Sequence, residues 1–442
     1  MGAATTEPIR MPPVVHVPKL VQGVGFVLAR DKVIGQLGRR YGSAFTLDLP
    51  IFGQTVVISD RATVKELFTM STDLIGRAGQ LGAVLGPGST FSLDGPEHRQ
   101  RRKLLVPPFH GKRMQGYEHI IEEEVLRETA TWPQGREFAA MPSMMRITLN
   151  AILRAVFGAQ GAALEELQEL LPVMVLRSSR LVVLPPVARR DFGPLSPGAR
   201  AQKLRDRYDR IIAGLIADAR SDPDLPQRSD VLALLLAARY DDGSAISDDH
   251  IADELLTLLA AGHETTATTL AWTMERLRRH PDLLARLAGE VDAGGTELTQ
   301  ATIFEVQRTR PVISGTGRVT RQRITLGQWV IPKGTVVVVS IGAVHASAQN
   351  YDDPERFDPD RFIGNPPDNY AWVPYGGGVR RCIGAAFANM EMLVTLRTLL
   401  REFEFGTTTA PPERLHSRGV ASAPADGGRI VVYRRNPATA VA

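Results

Sequence analysis

Between Ser247 and His280 the chain carries 34 residues of unbroken helical pattern, and no other feature constrains the fold as strongly. The run opens on Ser-Asp-Asp, which suits the positive end of a helix dipole. It closes on Arg-Leu-Arg-Arg-His, and Pro281 then stops it. At 1.5 Å per residue such a helix spans roughly 50 Å. That is too long for a surface helix, so it must cross the whole molecule.

The remaining segments have to be arranged around this axis. Residues 1–39 are expected to be an N-terminal extended segment ahead of a single domain at 40–442. Residues 42–60 alternate around a glycine turn signal and predict a hairpin, with a helix after it. The glycine-heavy stretch 72–96 predicts a loop, and a basic helix begins at Pro96. Helices are predicted over 117–160, 163–182, 201–220 and 229–238, with a proline-rich connector at 183–200. A β-rich stretch (323–341), a polar meander (350–370), a helix (385–403) and a strand-like tail complete the chain. The expected fold class is mainly α with a smaller β-rich region. No internal repeat and no linker between two cores is visible.

Composition narrows the function. Hydrophobic residues at 43% and charged residues at 23% are ordinary for a globular protein. A net charge of +4 is mild and argues against a nucleic-acid binder. No run of about 18 apolar residues predicts a transmembrane anchor, and no signal peptide is evident. A single cysteine excludes an intrachain disulfide and any Cys₄ or Cys₂His₂ site. It fits a reducing compartment, so a cytoplasmic location is expected.

That cysteine lies in Tyr375-Gly-Gly-Gly-Val-Arg-Arg-Cys-Ile-Gly384. Thiolate, not thiol, binds metal. Three features around Cys382 favour it: the start of a helix, the charges of Arg380 and Arg381, and Gly384, which lets backbone N–H donors approach the sulfur. Gly376, Gly377 and Gly378 permit a tight turn. A lone cysteine more often packs as a small hydrophobe, but this cationic, glycine-rich setting is wrong for that. One thiolate leaves a metal's other positions to something else, and a haem iron with one cysteine ligand satisfies this.

The loop resembles the haem-binding signature of the cytochrome P450 family, F-x-x-G-x-[RH]-x-C-x-G, with Tyr375 where phenylalanine is usual. A buried phenol needs a partner. In the long helix, Ala260-Ala-Gly-His-Glu-Thr-Thr266 lacks the second histidine of a metalloprotease H-E-x-x-H. Leu258, Ala261, Thr265 and Thr269 share one face, and Thr265 can bond back to the carbonyl of Ala261. On the residues alone this is as readily a polar seam between helices. The stretch is similar to the family's oxygen-binding motif [AG]-G-x-[DE]-T-[TS], formed here from Ala261 and Gly262 to Thr266. The resemblance implies that Thr265 orients dioxygen and Glu264 serves proton delivery. Glu305 and Arg308 match the family's E-x-x-R, and Arg361 falls in its F-x-P-x-R-F. The resemblance implies a structural ion network of the three, holding the cysteine face. His98 and Arg102 resemble the family's propionate clamp, with Arg318 and Arg380 completing the set. Arg99, Arg101 and Lys103 read as a solvated basic face.

The resemblance covers about residues 40–435. It implies a triangular-prism domain with haem b (iron protoporphyrin IX) between the long helix and the cysteine-loop helix. It implies a haem-thiolate monooxygenase that inserts one atom of dioxygen into a lipophilic small molecule. No flavin or iron–sulfur domain fits in the chain, so electrons are expected from a separate ferredoxin and its reductase. Arg101, Lys103 and Arg381 are expected to steer an acidic ferredoxin. A peroxygenase or isomerase on the same fold is one alternative, and a haem-based sensor or carrier is another. Apolar residues in 72–96 and 168–200 suggest a lipophilic substrate without identifying it.

Overall fold

The long helix runs Asp248–Leu277, with the Ser247 hydroxyl capping it by accepting from the His250 N–H. It ends three residues short of His280, where a turn leads into a helix that Pro281 starts. Most of its residues are buried. It packs chiefly along the helix Met141–Phe157, and also meets the helices Glu297–Thr309 and Ala385–Glu402. The computed structural model describes residues 2–50, 52–78, 81–111, 113–158, 161–182 and 190–435.

The β-rich part forms a five-stranded sheet in the order Ala44–Leu49, Gly53–Ile58, Val336–Ser340, Gly315–Thr320, Ile75–Arg77. The predicted hairpin is its first pair, in register Ala44 to Ile58, and Gly53 takes the positive φ of +63° that its turn requires. Gly53–Ile58 pairs parallel to Val336–Ser340, and the other three contacts are antiparallel. Val56, Ile58, Val337 and Val339 cluster with Val64 and Leu67 of the helix Arg61–Thr69. The sheet and the helical body meet at the cysteine loop.

Two expectations are corrected. Residues 2–18 are extended, bridging Ile324, Val330 and Thr46. Residues 19–41, however, form two helices, Lys19–Leu28 and Arg30–Tyr41. Pro18 ends the extended run, and Gln22 then fastens the first helix. Its amide donates to the Val15 and Val17 carbonyls, and its oxygen accepts from the Asp48 N–H. The expected helix 117–160 is two, Arg113–Thr129 and Met141–Phe157. Pro133 offers no N–H and Gly135 takes a positive φ of +68°, so the chain turns. Phe138–Ala139 then pairs with Arg429–Ile430. Residues 183–189 of the expected connector lie outside the described residues. Among the described residues no helix is long and apolar enough to cross a membrane.

Candidate active site

The cysteine loop is shaped by close packing. Gly376 and Gly378 adopt positive φ (+63° and +64°). A Cβ on Gly377 would lie 2.1 Å from the Phe68 ring, and one on Gly378 2.2 Å from the Phe68 carbonyl oxygen. The Cys382 N–H donates to the Tyr375 carbonyl at 3.0 Å, closing the loop, and the Gly384 N–H donates to the sulfur. Burial pushes the Cys382 thiol up, while the Gly384 N–H, Arg102 and Arg381 pull it down. Yet Cys382 keeps solvent-accessible surface, so its sulfur lines a recess among protein atoms. Arg380 does not serve the sulfur as expected. Its guanidinium turns to the Leu93 carbonyl (2.6 Å) and Asp94 (2.9 Å), and Arg102 supplies the charge instead.

His98, Arg102, Arg318 and Arg380 come together as expected, although they arise from three distant segments. His98 is buried and held down to about 4 by burial, with the charges of Arg380, Arg102 and Arg318 adding to it. It is therefore neutral. Arg318 donates to the Gly377 carbonyl at 2.9 Å, and burial together with Arg380 lowers it to about 10. Burial alone would raise the Asp94 carboxyl. The Arg77 and Gly95 N–H groups and Arg380 outweigh this and hold it at about 2. Asp94 also pairs with Arg321 at 2.7 Å, so its charge is shared. Among the described residues the Arg102 guanidinium makes no hydrogen bond or ion pair with a carboxylate, its charge acting on Cys382 through space. The cluster holds more positive charge than its protein surroundings neutralise.

On the long helix, burial is interrupted once in mid-molecule. Ala261 is exposed and Leu258, Ala260, Gly262 and Thr265 are half-buried, whereas residues 251–257 and 266–278 are buried. The Thr265 hydroxyl donates to the Ala261 carbonyl at 2.7 Å, as the spacing suggests. At Gly262 a Cβ would sit 3.2 Å from Ile152, so this glycine lets the helix Met141–Phe157 pack close. Glu264 is buried and paired with Arg418 at 2.9 Å, an arginine that follows the strand Leu415–Ser417. His263 donates through Nδ1 to the Leu259 carbonyl (2.8 Å) and is fully buried.

Glu305, Arg308 and Arg361 also meet. Arg308 forks onto Glu305 with two contacts of 2.7 Å, and Arg361 reaches the same carboxylate at 3.4 Å. Arg308 further donates to the His345, Pro354 and Arg356 carbonyls. His345, which no motif points to, extends the network. Its Nε2 accepts from the Val373 N–H at 2.8 Å, just before the cysteine loop. Tyr375 finds partners on both sides: its hydroxyl accepts from Gln307 Nε2 (2.7 Å) and donates to Asn389 Oδ1 (2.6 Å).

Arg101 is not a surface residue. It is buried and bonds Glu254 (3.1 Å), the Gly88 carbonyl (2.8 Å) and the Tyr240 hydroxyl (2.8 Å). Thr90 donates to Glu254 at 2.6 Å, and the Gly88 N–H donates to Asp253 at 2.7 Å. The glycine-rich loop is thereby bolted to the long helix. Lys103 is exposed and pairs with Asp241, and Arg381 is exposed.

A family model for cytochrome P450 matches residues 12–428. The chain belongs to the cytochrome P450 family. Cytochrome P450 138 of Mycobacterium tuberculosis is 54% identical over 436 residues, covering 98% of this chain and 99% of that one. Cytochrome P450 137 of the same organism is 40% identical over 417 residues, covering 92% and 86%. A retinoic acid-bound cyanobacterial CYP120A1 superposes with a TM-score of 0.85 at 25% identity, over 97% of this chain and 100% of that one. The heme domain of cytochrome P450DA shares the fold with a TM-score of 0.83 at 23% identity, over 98% and 99%.

As a P450 this chain is a monooxygenase with a haem cofactor, and its own residues fit that group. Gly384 has an ordinary φ of −83°, and a Cβ there would meet no protein atom within 4 Å. Neither conformation nor protein packing asks for glycine, whereas a flat cofactor against the sulfur does. The uncovered face at Ala261 and the unneutralised arginines suit its apolar plane and its two carboxylates. Among the described residues no group of three metal-binding side chains forms a cage. An iron in this recess would take Cys382 as its one protein ligand.

Proposed function

We propose that this cytochrome P450 binds haem b, which the Cys382 thiolate would hold through its iron. We further propose that it hydroxylates or epoxidises a lipophilic small molecule in the cytoplasm, with electrons from a separate ferredoxin and reductase. The observation that carries the reading is the sulfur in a recess beside a cationic cluster short of counter-charge, together with the bare Ala261 stretch of the long helix. Bound haem supplies the dioxygen activation, and a thiolate ligand favours O–O cleavage.

The chain's own residues position and gate. Arg102, Arg318, Arg380 and neutral His98 hold the propionates by charge and hydrogen bonding. The Gly384 N–H stabilises the thiolate. Ala261 leaves room beside the helix backbone. The Thr265 hydroxyl, held by its bond to the Ala261 carbonyl, would orient dioxygen in that room. Glu264 passes protons to this point, and Arg418 holds its carboxylate in place until it does. The paired acid and threonine favour monooxygenation over peroxygenase or isomerase chemistry.

The test is the absorption spectrum of the dithionite-reduced protein under carbon monoxide. A strongly red-shifted Soret band that Cys382→Ser abolishes is expected. Protein that takes up no haem, or a band unchanged in Cys382→Ser, overturns the reading.

A further inference from the structure

Tyr375 departs from the family signature, and the structure gives its hydroxyl two partners on two different helices. Gln307 lies on Glu297–Thr309, between the Glu305 and Arg308 of the ion network. Asn389 lies on Ala385–Glu402, the helix that Cys382 leads into. The phenol has one proton to give and accepts one in return, and both are used. Its own carbonyl, at the other end of the residue, takes the Cys382 N–H. Gln307 is buried, and its Oε1 has no partner among the described residues. The Tyr375 ring packs edge-on against Trp372, with centroids 5.8 Å apart.

We propose that Gln307 and Asn389, acting through the Tyr375 hydroxyl, are positioning residues that hold the cysteine loop at a fixed distance from the cofactor. The inference rests on Cys382 being the axial ligand. Each contact is elementary. The sulfur's place is set by the loop backbone, and the loop's first residue is tied at its carbonyl to Cys382 and at its phenol to two rigid helices. A phenylalanine keeps the packing and loses the tie. The sulfur would then have more freedom, and its hold on the iron would be looser.

Four variants test this in the holoenzyme: Tyr375→Phe, Gln307→Leu, Asn389→Leu and the triple replacement. Two readouts are the share of the reduced carbonyl complex absorbing where histidine-ligated haem does, and the ferric–ferrous reduction potential. Unfolding midpoints are measured alongside. Tyr375→Phe orphans the buried Gln307 amide and the half-buried Asn389 oxygen, and it should lower the midpoint, raise the inactive share several-fold and make the potential more positive. The triple variant leaves no orphaned partner. It should recover stability while keeping the altered spectrum and potential. A purely structural tie predicts that the triple variant restores all three, and that result overturns the proposal. So does a Tyr375→Phe protein with the parent's spectrum and potential. A parent protein without a thiolate-type band would instead refute the haem-thiolate reading itself.

Discussion

Arg418 sits 2.9 Å from the Glu264 carboxylate, so the acid assigned to proton delivery is held by a partner from the far end of the chain. Glu264→Gln keeps the shape and removes the acid. It should lower kcat about a hundredfold, at the low end for general acid–base catalysis, with the haem spectrum unchanged. Arg418→Leu should lower kcat less, because the carboxylate stays but is no longer aimed. Steady-state turnover with saturating redox partners measures both, and equal turnover in parent and Glu264→Gln would remove Glu264 from the proton path. At this scale the sequence carried the motif residues and little of their surroundings. Arg101 reads as one more positive charge on a basic helix, because its counter-ion Glu254 lies 153 residues away. Gln307 and Asn389 are likewise unremarkable until the fold brings a phenol between them. Partners distant in sequence leave no local pattern.

Among the elements, the ion network joins the helix Glu297–Thr309 to the meander before the cysteine loop. Glu305 and Arg308 are both buried, so Glu305→Gln or Arg308→Leu strands a charge and should cost about 3–5 kcal/mol. Chemical unfolding of the holoenzyme and the haem content per chain would both register the loss. His345 adds a pH dependence. Burial holds it down at about 3, the Arg308 charge adds to this, and its bond to the Arg308 carbonyl opposes it. Its folded value is below its unfolded value near 6.5, so its contribution is complete above pH 6.5 and is lost as pH falls toward 3. Unfolding free energy should fall between pH 6.5 and 4.5, and His345→Gln should flatten that slope. An identical slope in the variant would assign the acid sensitivity elsewhere. Elements with a clear period were legible: the long helix by its length and caps, the hairpin by alternation and its glycine. The break between Thr129 and Met141 was not, since apolar spacing continues across it and only Pro133 and Gly135 interrupt.

For the whole molecule, the fold class was readable because the motifs of one family stand in order along the chain, and the segments around His98, Arg318 and Cys382 do meet. The N-terminal helices were not, since what holds them is the Gln22 side chain bonded to backbone. Partner docking is also a whole-molecule property. With Arg101 buried and the exposed Lys103 paired with Asp241, Arg381 is the exposed charge next to the cysteine in the chain. Arg381→Glu should slow reduction by a ferredoxin and weaken its salt dependence in stopped-flow measurements, and unchanged rates would exclude this face. Gly384 has one more consequence. Gly377 and Gly378 are pressed against Phe68, whereas a Cβ at Gly384 would meet no protein atom within 4 Å. A mutational scan sorted for expressed, protease-resistant chains should reject side chains at 377 and 378 and accept alanine at 384. The same library sorted for red colour should reject all three, so a single chain keeps separate tallies for becoming a protein and for becoming an enzyme.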